Sequence, residues 1–233
     1  MKPYPIFLVG LEKKRSIVIG GSDEAEFKVK GLLECGANLT VIAPRLTEEL
    51  HALAQNGEFV WIARDYRPGD LKGAFFVLAE RFTPLEDCRI WAEGLVENCL
   101  VNVMDDIPRC NFVAGSVIRQ GPLAIAISTS GAAPAFSVRL RQKLQNEFGP
   151  EYKTYLDWLQ SIRPSMKQTH PSFQKRKERW YDVVDSEILE LIRADKLEDA
   201  RNKLQAITEI KELPDEIQVG ELTPAKSLVT GDY

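Results

Sequence analysis

Three short stretches of this 233-residue chain carry residue types that could do chemistry. The first is Gly20-Gly21-Ser22-Asp23-Glu24-Ala25, which follows an apolar run and opens a helical pattern. Such a turn lets backbone approach a pyrophosphate and points a helix N-terminus at it. Gly20 would supply the tight turn and Ala25 the close helix packing, while Ser22 stands where glycine is usual and Asp23 and Glu24 follow. The second stretch is Asp105-Asp106, just beyond the apolar run Leu100–Val103. A partly desolvated carboxylate at a strand end can take up or release a proton. It can equally cap the turn before Pro108, a common use of Asp. The third is Ser128-Thr129-Ser130-Gly131, between an apolar run and a helix opening near Pro134. Hydroxyls, unpaired backbone N–H groups and a helix dipole suit this turn to an anion. Arg119, Arg139, Arg141 and Lys143 would add cationic donors.

The elements that must position these residues read as an α/β pattern. Ser16–Ile19, Leu39–Ile42, Phe59–Ile62, Phe75–Leu78 and Leu100–Val103 read as strands. Asp23–Cys35 has Ala25, Val29, Leu32 and Leu33 on one side and stops at Gly36. Leu46–Ala54 and Leu85–Glu97 also read as helices. Strands separated by helices imply right-handed βαβ units and a parallel sheet. In a dinucleotide site an acidic residue for the ribose is expected near the end of the second strand. The chain has Ala43-Pro44-Arg45 there; Arg45 could meet a 2′-phosphate or be a surface arginine. Phe112–Arg119 and Leu123–Ile127, separated by Gln120-Gly121-Pro122, predict an antiparallel hairpin. A helix is predicted over 134–147, and helical spacing returns around Tyr155–Ile162 and Ile188–Leu204. Residues 163–179 read as a basic, polar connector, and 211–233 as a loose tail.

Composition narrows the function classes. With 44% hydrophobic and 27% charged residues, the chain is of ordinary globular type. A net charge of -4 argues against an overall drive toward nucleic acid. No apolar run approaches the roughly 20 residues of a membrane span. Lys2, Pro3 and Pro5 interrupt the start, so no leader peptide is expected and the location is read as cytoplasmic. None of the four cysteines falls in a Cys-x-x-Cys pair, and no metal ligand set is predicted. His51 is expected on an exposed helix and His170 in the basic connector. Lys175, Arg176, Lys177 and Arg179 read as a solvated face or as an attractor for a polyanion.

The order of these pieces resembles the precorrin-2 dehydrogenase family, the N-terminal module of siroheme synthases. The likeness runs through Tyr4-Pro5-Ile6-Phe7-Leu8, the Arg15–Gly21 strand and turn, Lys28, Gly31-Leu32-Leu33, Gly36-Ala37 and Val41-Ile42-Ala43-Pro44. It continues through Val101-Asn102-Val103-Met104-Asp105, Asn111-Phe112 and Gly121–Ala135. The chain departs from the family at Ser22-Asp23-Glu24, where a third glycine and then x-Val are usual. It departs again at Ala79-Glu80-Arg81, where Ala-Thr-Asp is usual. The resemblance implies a Rossmann-like parallel sheet over 1–110, a hairpin-and-helix dimerisation region over 111–150, and a small helical domain over 151–210. It implies a homodimer that oxidises precorrin-2 to sirohydrochlorin with NAD+ as hydride acceptor. NAD would be held by Gly20, Gly21, Ser22, Asp23, Glu24, Ala43 and Pro44. Asp105 would be the catalytic aspartate, and Arg119, Ser128, Thr129, Ser130, Gly131 and Arg139 would hold the tetrapyrrole. Sirohydrochlorin ferrochelatase activity, in addition or instead, is the alternative the family offers. A member that binds tetrapyrrole without dehydrogenase activity is a further one.

Overall fold

Ile17, Val18 and Ile19 are β-branched and fully buried, which suits them to the middle of a sheet covered on both faces. Each such side chain contributes about 1.5–3 kcal/mol on burial. They lie in β1 (Arg15–Ile19), at the centre of a five-stranded sheet. The computed structural model describes residues 2–214 and residue 217. Around β1 stand β2 (Asn38–Ile42), β3 (Val60–Ile62), β4 (Phe76–Ala79) and β5 (Leu100–Val103), in the order β3-β2-β1-β4-β5. All four pairings are parallel, with Ile19 opposite Ile42 on one side and Ala79 on the other. The chain therefore reverses direction across the sheet between β1 and β4, the point where open α/β sheets bind ligands.

The crossover helices start where their caps dictate. Helix α1 (Asp23–Leu33) is capped by Ser22, whose side chain accepts from the Glu24 N–H. Helix α2 (Glu48–Gln55) is capped by Thr47, which accepts from the Leu50 N–H. Helix α3 (Pro84–Val96) has a full capping box between Thr83 and Glu86, with Pro84 in its first turn. Gly94 packs α3 onto β5 so closely that an added Cβ would collide with Val101. One core cluster groups Val18, Val29 and Val41, and another groups Ile17, Ile19 and Ile90.

The strand expected to begin at Phe112 begins at Ser116 instead. Asn111 accounts for the difference, because its side chain imitates a neighbouring strand. Its Oδ1 accepts from the Val101 N–H at 2.7 Å and its Nδ2 donates to the Cys99 carbonyl at 2.9 Å. Asn102 returns a bond to the Phe112 carbonyl at 3.0 Å. The open edge of β5 is thereby covered by these side chains together with a backbone bridge between Asn102 and Cys110.

The chain divides into two compact units between Ala114 and Gly115. The second unit holds the hairpin of β6 (Ser116–Gln120) and β7 (Leu123–Ile127), followed by α4 (Pro134–Glu147) and α5 (Glu151–Ser161). The predicted connector 163–179 is not a connector. It forms α6 (Arg163–Thr169) and most of α7 (Phe173–Val184), because Met166 and Val183 are buried anchors in an otherwise polar pattern. Helices α8 (Ile188–Arg193) and α9 (Leu197–Thr208) complete the unit. His170 is buried, with Nε2 2.8 Å from the Thr208 carbonyl, so it joins α6 to α9. The expected loose tail begins too early: Leu213 and Ile217 pack into the helical core. The rest of 211–233 lies outside the described residues beyond Pro214.

Candidate functional site

The ends of β1, β2 and β4 bound a cavity of about 300 Å³. Five of the predicted cofactor residues line it: Gly20, Gly21, Ser22, Ala43 and Pro44. Asp23 and Glu24 do not; they stand in the first turn of α1. Gly20 has φ +128°, open to glycine and hardly to any other residue. A Cβ there would collide with the Glu80 carboxyl group, and one at Gly21 would collide with the Arg45 carbonyl oxygen. Arg45 is exposed and lines the cavity beside Pro44. Tyr66 also lines the cavity and donates to Glu93. Burial and that carboxylate push the phenol well above its ordinary range.

Glu80, immediately after β4, occupies the centre of this arrangement. Its Oε1 accepts from the Ser22 N–H at 2.9 Å and from the Ala25 N–H at 3.3 Å, and the Ser22 hydroxyl donates to the same oxygen. These are the donors that a glycine turn offers to a phosphate. The walls fit a dinucleotide: two glycines permit close approach, and the cavity lies at the sheet's reversal point. The phosphate position fits one only with the Glu80 side chain turned away, because its carboxylate already holds the N–H groups.

Asp105 and Asp106 separate cleanly. Asp106 is buried and paired with Arg109. Asp105 is exposed at the end of β5 and has φ +56°, an uncommon left-handed conformation. Arg81 donates to the Asp105 carbonyl at 3.3 Å, and its Nε lies 3.9 Å from Asp87 Oδ2. That Asp87 oxygen is buried and accepts no hydrogen bond from the described residues. Electrostatics tie Asp105 to α1. Burial, then the Asp105 carboxylate, raises the Glu24 pKa, against the opposing pull of Lys28. Burial lowers the Lys28 pKa, opposed by Glu24 and then Asp105. Lys28 and Glu80 escaped the reading of site residues. Lys28 left a signal, since it stands one helical turn beyond Glu24; Glu80 left one as well, as part of the Ala79-Glu80-Arg81 departure from the family pattern.

In the second unit the Ser128–Gly131 turn is held by its own hydroxyls. Ser128 Oγ accepts from the Ser130 N–H at 3.1 Å, and Thr129 Oγ1 accepts from the Ala133 N–H at 3.3 Å. Both hydroxyls act as acceptors there, so each retains an O–H to donate. Ser130 and Gly131 both have positive φ, which curls the backbone before α4. Arg119 is exposed on β6 and Arg139 is exposed on α4, its guanidinium 3.1 Å from Gln142 Oε1. Arg141 is not a surface donor as expected; it is buried against Gln145.

A parallel sheet in this order, with a glycine turn and helix N-terminus at its reversal point, defines a dinucleotide-binding α/β protein. An NAD(P)-binding family model matches residues 7–116. Models described as the sirohaem biosynthesis protein central region and the sirohaem synthase dimerisation region match 120–147 and 152–207. Over the span of these models, residues 7–207, the chain belongs to the siroheme synthase family. It is 31% identical over 205 residues to siroheme synthase 1 of Pectobacterium atrosepticum, covering 88% of this chain and 42% of that protein. It is 29% identical over 215 residues to siroheme synthase of Pseudoalteromonas translucida, covering 92% of this chain and 45% of that one. The chain thus spans less than half the length of these curated relatives. The solved structure of SirC, precorrin-2 dehydrogenase, shares the fold with TM-score 0.73 and 24% identity, covering 89% of this chain and 100% of SirC.

Proposed function

We propose that this protein is an NAD-dependent precorrin-2 dehydrogenase that forms sirohydrochlorin, working as a homodimer in the cytoplasm. The observation that carries this reading is Asp105. It is an exposed carboxylate with left-handed φ, just beyond a strand end of a dinucleotide-type sheet, and its charge acts on the half-buried Lys28 of α1. NAD+, when bound, supplies the hydride acceptor. The residues of the chain do the rest. Asp105 takes the proton that leaves as precorrin-2 is oxidised, so that one hydride and one proton depart and sirohydrochlorin remains. The charge of Asp105 favours the protonated form of Lys28. Within the second unit, the Ser128–Gly131 turn offers O–H and N–H donors, and Arg119 and Arg139 offer guanidinium donors, of the kind that bind carboxylates. The test is incubation with precorrin-2 and NAD+ while sirohydrochlorin absorbance is followed. Turnover supports the reading, and its absence with both NAD+ and NADP+ overturns it.

Glu80 favours a second reading. Ferrous or cobaltous ion insertion into sirohydrochlorin consumes no dinucleotide and so is indifferent to a carboxylate in the phosphate position. Metal uptake by sirohydrochlorin in the absence of NAD+, above the protein-free rate, is the result this reading requires.

A further inference from the structure

We propose that Glu80 is a built-in anionic occupant of the phosphate subsite, and that it sets how tightly the protein holds a dinucleotide. This rests on the reading that the Gly20–Ala25 turn is the dinucleotide turn. Three features of the fold converge on it. The Ser22 N–H, the Ala25 N–H and the Ser22 hydroxyl all aim at one carboxylate oxygen, Glu80 Oε1. A negative charge there is favoured by the N-terminal end of α1, just as a bound phosphate would be. The missing Cβ of Gly20, which elsewhere makes room for a ligand, here makes room for the Glu80 carboxyl group. The backbone of Glu80 is pinned, its N–H donating to the Ile19 carbonyl at 2.8 Å. Its side chain is half-exposed, and rotation away from the turn would break its three bonds to Ser22 and Ala25. Protein carboxylate and ligand phosphate therefore compete for the same donors, and the acidic first turn of α1 (Asp23, Glu24, Glu26) adds repulsion to the incoming anion.

The competition has a direct readout in binding. Calorimetric titration of the whole protein with NAD+ would compare the wild type with Glu80→Ala and Glu80→Gln. Glutamine keeps the length and removes the charge; alanine removes the occupant. Both variants are expected to bind NAD+ about tenfold tighter than wild type. Inorganic pyrophosphate, the bare probe of the subsite, is expected to follow the same order. Without ligand, the alanine variant should melt at a lower temperature, since α1 loses its resident anion, and saturating NAD+ should restore more of that loss than it adds to wild type. Unchanged or weaker NAD+ binding by both variants overturns the proposal, and so does a failure of all three proteins to bind. The outcome is separable from the reaction assay. Tighter binding without precorrin-2 turnover leaves this proposal standing and removes the dehydrogenase; turnover with unchanged affinity does the reverse.

Discussion

In the proposed reaction Asp105 is the proton acceptor, and its backbone makes a sharp test possible. Left-handed φ favours Asn, Asp and Gly over other residues. Asp105→Asn therefore keeps the conformation and removes only the proton acceptor. It is expected to lower precorrin-2 turnover by at least about 10²-fold with the dissociation constant for NAD+ unchanged. Asp105→Ala should show the same loss of turnover and also lower the unfolding free energy by about 1 kcal/mol. Equal turnover in wild type and Asp105→Asn would remove Asp105 from the mechanism. The neighbouring Asp106 would have served as well on sequence alone. Its burial against Arg109 is what disqualifies it, and burial is a property of the folded turn.

At the scale of elements, the site depends on how α3 and the segment after β3 are held against the sheet. Gly94 lets α3 sit directly on Val101 of β5, whose far end carries Asp105. Gly94→Ala should push the helix outward and cost about 1–3 kcal/mol of stability, measured by urea unfolding. A helix merely tolerant of alanine would instead gain stability from the better propensity. The segment after β3 is tied by Arg64, which donates to both Asp70 oxygens at 2.7 Å. Those bonds are the chief reason the Asp70 pKa lies below its ordinary value. A depressed carboxylate pKa means stability that is present above the unfolded value near 4 and lost as pH falls through the lower folded value. The stability gap between wild type and Arg64→Met should accordingly close as the medium is acidified below about pH 4. A gap independent of pH would assign Arg64 a packing role only. Most of these elements were legible from apolar periodicity, which is local, while their exact starts are set by caps. Ser22, Thr47, Thr83 and Pro84 mark helix starts by chemistry that acts within one turn. The true start of β6 could not be so read, because Asn111 closes the β5 edge through contacts with Cys99 and Val101.

At the scale of the whole molecule, the model described as the dimerisation region matches 152–207, the segment read from sequence as the small helical domain, and it supports a two-chain assembly. Sedimentation equilibrium should return twice the 26.3 kDa chain mass, and a single-chain mass at micromolar concentration would remove the homodimer from the reading. The second unit's interior also shows how far pattern carries. Ile188, Ile192, Ala200 and Leu204 were visible as core by helical spacing. Met166, His170 and Ile217 were not, because each is a single buried residue in a polar stretch. By itself, the sequence determined the alternation of strands and helices, the glycine turn opening α1 and the carboxylate pair beyond β5. All of these are consequences of short-range periodicity and capping. Only the tertiary structure decided who occupies the turn. Glu80 lies 58 residues from Ser22 in the chain, and they meet because β4 pairs with β1. Strand pairing is a long-range choice of the folded sheet, and no local pattern around either residue records it.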